Sequence, residues 1–126
     1  MWILYFFYRQ RMNSFGEQLL ADHNEYRHSK QLGSFSWCPT LQEQAERQLS
    51  EILTQRRLHH GQVPSNGLQN IASGKRNLYK PGVVLRLWLS DQGHAAPILE
   101  TSFHKLGAAV HEDSDKNVII VCNYSS

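Results

Sequence analysis

The chain has little cysteine. Cys38 and Cys122 are the only two among 126 residues, too few for a disulfide framework. They leave room for one bridge, whose pairing a sequence does not fix. Cys122 lies in an apolar run, where a buried free thiol is the simplest reading. There is no Cys-x-x-Cys spacing to suggest a zinc or redox centre. Gly-x-Ser-x-Gly, His-Glu-x-x-His and phosphate-cradling glycine loops are also missing, which removes familiar hydrolase, zinc-protease and nucleotide-binding signatures. No apolar run approaches the roughly 20 residues that span a bilayer. Nor does one sign of charge dominate: 13 basic and 11 acidic residues give a net charge of +2. That balance argues against nucleic acid as a partner. The small basic patch of Arg56, Arg57, His59 and His60 reads more simply as the cation-rich end of a helix.

What is present suits one ordinary domain. A chain of this length buries roughly two-thirds of the surface that its unfolded form exposes, so it needs no metal or bridge merely to fold. Trp2–Tyr8 is entirely apolar or aromatic and is followed by Arg9 and Arg11. A secretory signal carries its charge before the apolar stretch and a small-residue cleavage site after it. The run therefore reads as an incomplete signal, a membrane-surface anchor or an extra packing segment, and residues 1–13 are set outside a single domain at 14–126.

Within the domain, Ser14 and Glu17 match a capping box. Phe15, Leu19, His23 and Tyr26 follow at helical spacing, which predicts a helix over 14–28. Thr40 and Glu43 repeat the box after Pro39. Leu41, Ala45, Leu49, Ile52 and Leu53 then line one face of a second helix running to about Arg57. The stretch 59–82 is rich in Gly, Asn, Ser and Pro and reads as loop, with a short strand at 70–72. Pro81 suits the first turn of a third helix carrying Val84, Leu87, Trp88 and Asp91, with Gly93 as its stop. A short helix from His94 follows, disturbed by Pro97. Leu106, Ala108 and Val110 alternate, and 118–121 is a continuous β-branched run beyond a polar turn at 113–117. This predicts a hairpin whose second strand is buried on both faces. The fold class is α+β, with helices covering a small antiparallel sheet.

His59, His60, Asp91 and His94 are the residues with chemistry to offer. Two imidazoles and a carboxylate suit a divalent metal or acid/base work, although hydrogen-bonded surface residues are the plainer reading. His23 falls on an apolar helix face and reads as a core histidine. Trp37 and Trp88 read as core, and Tyr26 as core or pocket lining.

Several segments, in order, resemble the CAP superfamily of cysteine-rich secretory proteins, antigen 5 and pathogenesis-related proteins. His23-Asn24-Glu25-Tyr26-Arg27 is similar to that family's HNxYR helix. Trp37, Leu41 and Ala45 follow its W-x-x-x-L-x-x-x-A pattern. Gln69-Asn70-Ile71-Ala72 is similar to its G-E-N-[LI]-A strand, and 84–91 to the helix carrying its W-x-x-E. Gly93-His94, then Lys105-Leu106-Gly107, and the final run from Val118 to Tyr124 complete the series. With few cysteines, the chain resembles most the Golgi-associated plant pathogenesis-related branch or insect secreted relatives.

The resemblance implies an α-β-α sandwich and a central cleft in which two histidines and two glutamates hold zinc or another divalent ion. The histidine positions fall on His60, with His59 as the alternative, and on His94. The glutamate positions fall on Gln69 and Asp91. A neutral amide, a shortened carboxylate and a single residue between Asp91 and Gly93 mark this site as degenerate. The family's tryptophan after the Gly-His stretch is Glu100 here. The resemblance further implies a non-enzymatic binding or signalling role, with lipid, sterol or protein as partner and an extracellular location. The alternatives are a metal-assisted hydrolase using His60, Asp91 and His94, a membrane-surface protein, and residence at the Golgi membrane.

Overall fold

The computed structural model describes residues 2–61, 63 and 66–126, with the backbone alone in 2–13 and at Tyr79. The first helix, α1, runs Trp2–Ser29. Ser14 and Glu17 therefore lie inside it, and the expected capping box does not start a helix. The Trp2–Tyr8 side chains lie outside the described residues. After α1 come β1 (Ser36–Trp37), α2 (Pro39–Gln55) and β2 (Leu68–Lys75). A 3-10 turn at Arg76–Tyr79 leads to α3 (Pro81–Leu89) and α4 (Gln92–Leu99), and the chain closes with β3 (Lys105–Glu112) and β4 (Asn117–Ser125). Among the described residues, no helix is long and apolar enough to cross a membrane.

The second expected capping box also fails. Pro39 occupies the first turn of α2, Cys38 is the cap, and no side chain bonds the end of the helix. Proline fits there because its missing N–H would have had no intrahelical partner. Arg56 stops α2 in the left-handed region, at φ 54. The third helix ends earlier than Gly93. Asp91 begins a new helix instead, its side chain accepting the His94 N–H. The strand expected at 70–72 extends over all of Leu68–Lys75.

The sheet order is β1-β3-β4-β2. β2, β3 and β4 pair antiparallel as expected, but the short β1 pairs parallel to β3, so the sheet is mixed. β4 is central, with Cys122 opposite both Asn70 and Ala108. Side chains alternate across it, because successive strand residues point to opposite faces. Val118, Ile120, Cys122 and Tyr124 join Phe15, Leu19, Val84, Trp88 and Ile98 in the larger core. Val121 joins Ala45, Leu49, Ile52 and Ala109 in a second core. Thus α2 covers one face and α1, α3 and α4 the other, the α-β-α sandwich. Gly107 lets α2 close down on β3: a Cβ there would sit 2.4 Å from the Gln42 nitrogen and 2.7 Å from the Cys38 oxygen.

Two polar residues of α1, Asn24 and Arg27, face inward. Arg27 is fully buried and donates from Nε to Gly33 O (2.6 Å), from one terminal nitrogen to Ile98 O (2.9 Å) and Glu100 O (3.1 Å), and from the other to Phe103 O (3.0 Å). Asn24 clamps the Phe35 backbone from both sides, donating to its oxygen (3.1 Å) and accepting from its nitrogen (2.7 Å). These bonds tie the end of α1 to the loops around α4 and β1.

Candidate functional site at the edge of β2

Gln69 and Asn70 are neighbours on β2, the edge strand, so their side chains leave on opposite faces of the sheet. Each holds one of the histidines singled out by the sequence. On the α2 face, Gln69 Oε1 accepts from His60 Nδ1 (3.0 Å) and from the Gly61 N–H (3.0 Å). Gln69 Nε2 donates to Asn123 Oδ1 (2.8 Å), and Asn123 Nδ2 donates onward to Leu41 O (3.2 Å). The amide oxygen can only accept, so His60 carries a proton on Nδ1.

On the other face, Asn70 Nδ2 donates to His94 O (2.8 Å) and approaches the Tyr124 hydroxyl (3.3 Å). Asp91 Oδ2 accepts the His94 backbone N–H (3.1 Å) and His94 Nδ1 (2.6 Å). These bonds, the backbone one first, hold the Asp91 carboxyl below its usual range. Both side chains remain open to solvent.

The structure thus brings the four expected residues together as two pairs, His60–Gln69 and Asp91–His94. Among the described residues, no hydrogen bond joins one pair to the other. No three His, Cys, Asp or Glu side chains there gather as a metal ion requires. The donor set fits zinc poorly as well. Gln69 offers a neutral oxygen already accepting twice, and Asp91 is engaged by its own neighbour. The alternative His59 turns instead towards α2, where Gln48 Nε2 donates to the His59 carbonyl and lies 3.1 Å from Nδ1.

Both cysteines are free. Burial pushes the Cys122 thiol up to about 12, and burial likewise raises the Tyr124 hydroxyl well above its usual value. His23 is core as expected. Nδ1 donates to Leu19 O (2.8 Å), which leaves Nε2 to accept from Tyr124 (2.9 Å). Trp88 is core, whereas Trp37 and Tyr26 are only partly buried. Asn70 and Asn123 fell within quoted motifs without a role assigned to them, and Gln48 was not singled out. Their signal was the presence of amides in otherwise apolar strand and helix faces.

Comparison with known proteins agrees with this architecture. The family model for the cysteine-rich secretory protein family, CAP, matches residues 20–124. A search of curated proteins returns no match. Among solved structures, an outer surface protein of Borrelia burgdorferi superposes with a TM-score of 0.75 at 20% identity, covering 86% of this chain and 89% of that one. Venom allergen-like protein 4 of Schistosoma mansoni gives 0.70 at 15% identity, covering 88% and 87%. An extracellular protein of Bacillus anthracis containing an SCP domain gives 0.73 at 19% identity, over 90% of this chain and 41% of that one. The family match over most of the chain, together with the shared sandwich, makes this protein a member of the cysteine-rich secretory protein family.

Proposed function

We propose that the chain is a non-enzymatic binding domain, with its recognition surface at the β2 edge around His60, Gln69, Asp91 and His94. The observation that carries this reading is the way Gln69 is used. At a position where a carboxylate would bind a cation or move a proton, the chain has an amide whose oxygen and nitrogen both bond protein. An amide does not act as a general base at neutral pH. The remaining groups present polar atoms from a fixed frame, which suits recognition of a lipid, sterol or protein. An extracellular setting accords with the names of the Borrelia and Bacillus proteins, an outer surface protein and an extracellular protein.

The test is a binding comparison of wild type and His94→Ala, using vesicles with and without sterol and, separately, zinc in a calorimeter. Sterol-vesicle binding that weakens in His94→Ala, without metal-dependent hydrolysis of peptide or ester substrates, supports the reading. Zinc-dependent turnover abolished by His94→Ala overturns it in favour of a hydrolase. The Asp91–His94 pair at 2.6 Å is the feature that would then serve as base and orienting carboxylate.

A further inference from the structure

We propose that Asn123 is an oligosaccharide acceptor open only in the unfolded chain, so that sugar transfer to it and folding exclude one another. Asn123-Tyr124-Ser125 is the one Asn-x-Ser/Thr tripeptide in the chain, the pattern that N-glycosylation reads. Such acceptors ordinarily lie in surface loops. This one lies on β4, between β3 and β2, with Asn123 and Tyr124 fully buried and Ser125 nearly so. Its place in the life of the chain rests on the extracellular setting proposed above, because this modification belongs to secreted proteins.

Two features close the site. The first is the backbone. Asn123 stands opposite Gly107 on one side and Gln69 on the other, and Tyr124 opposite Leu106 and Leu68. A transferase takes its acceptor as a free strand, so both neighbours must let go together. The second is the side chain. Asn123 Oδ1 accepts from Gln69 Nε2 (2.8 Å), and Nδ2 donates to Leu41 O (3.2 Å). Residues opposite one another in a sheet point to the same face, so the Asn123 side chain shares its face with Gly107. There a single added carbon would sit 2.4 Å from the Gln42 nitrogen and 2.7 Å from the Cys38 oxygen. A space that excludes one methyl group beside Asn123 does not admit a sugar ring.

The co-substrate is a lipid-linked oligosaccharide diphosphate. Asn123 Nδ2 bonds to the anomeric carbon, the carbon–oxygen bond to the diphosphate breaks, and the lipid diphosphate leaves. The nitrogen gives up one proton to the transferase. The sugar is then fixed to the atom that faces Leu41 in the fold. The order of elements favours the competition. β2 and β3 precede β4 in the chain and do not pair with each other, so both wait for β4. The tripeptide therefore stays open until the sheet closes, and closure is what hides it. A glycan at Asn123 marks a chain that failed to close its sheet in time and prevents it from closing later.

The experiment treats the full chain with a purified oligosaccharyltransferase and its lipid-linked donor, and reads the mass gained at Asn123. A peptide of residues 118–126 is the positive control. The native chain should take no sugar, whereas chain unfolded in urea and diluted into the reaction should be modified in competition with refolding. Ser125→Ala keeps both Asn123 bonds, and should fold as wild type does and take no sugar from either state. Gly107→Ala should be modified faster without urea, by the factor through which its unfolded population rises, about 30-fold. Glycosylated chain freed of urea should show no cooperative thermal transition. The proposal fails if the native chain is modified as fast as the unfolded one, or if the unfolded chain takes no sugar while the peptide does. It fails equally if glycosylated chain regains the wild-type midpoint, or if Gly107→Ala, with a lowered midpoint, is modified no faster. Every readout is made on purified components, so failure of the extracellular or binding reading leaves these outcomes unchanged.

Discussion

His23 shows how one buried residue ties stability to pH. Burial holds its imidazole down at about 4, the charge of Arg27 adds to that shift, and the Leu19 hydrogen bond opposes it. The unfolded chain takes up a proton near pH 6.5 and the folded chain does not, so stability rises with pH across that interval. It is fully present above about 6.5 and is lost as pH falls towards 4. The shift corresponds to about 3 kcal/mol at the acid end. Urea unfolding between pH 4 and 7 should show this slope, and His23→Gln should flatten it; an unchanged slope would remove His23 as its source. Arg27 acts through donors. Arg27→Lys cannot reach four carbonyls with three hydrogens, and should cost at least about 3 kcal/mol, read as a fall in the urea midpoint. Gln69→Glu would set two acceptors face to face at Asn123 and should cost about 2 kcal/mol. Wild-type zinc affinity should be weak and should rise in that variant, because it gains a carboxylate; calorimetry at neutral pH reads both. At this scale the sequence was legible for residue type but not for partners. His23 announced itself by its place on an apolar face. The Gln69–Asn123 and Arg27–Phe103 bonds did not, because their ends lie far apart along the chain.

Elements were legible where a single period ran uninterrupted. The apolar stripe of α2 and the alternation of β3 placed both elements, and the β-branched run of β4 foretold burial on both faces. Boundaries were misread where backbone geometry, not side-chain capping, decided them. Ser14 and Glu17 satisfy a capping pattern but sit within a continuous helix, and Thr40 yields to Pro39 and Cys38. The parallel strand β1 has two residues, too few to carry any period. Gly107, legible in the sequence only as part of a family motif, is the contact point of two elements. Gly107→Ala would push Cβ into the first-turn backbone of α2, which has no flexible end to move aside. The expected loss is about 2–3 kcal/mol, seen as a lower thermal midpoint. An unchanged midpoint would mean that α2 can lift from β3 at no cost.

The whole molecule is organised by β4. Ile120 and Val121 are consecutive, yet one packs with α1, α3 and α4 and the other with α2. The same strand pairs with β2 and β3, and through Asn123 it braces the Gln69 side chain that holds His60. Both layers and the β2 edge therefore share one support, and neither core can loosen without disturbing the strand that serves the other. The sequence showed the buried strand but could not show this sharing, since the order of strands is not written in their periodicity. The consequence is a single cooperative transition. Val121→Ala should destabilise the chain by about 2 kcal/mol. Native-state hydrogen exchange should register that loss equally in the slowest amides of α2 and of α3, although Val121 packs only with the former's layer. If α3 amides kept their wild-type protection while those of α2 fell, the two layers would be separate unfolding units. The β2 edge could then rearrange with α2 while the layer carrying His94 stayed folded.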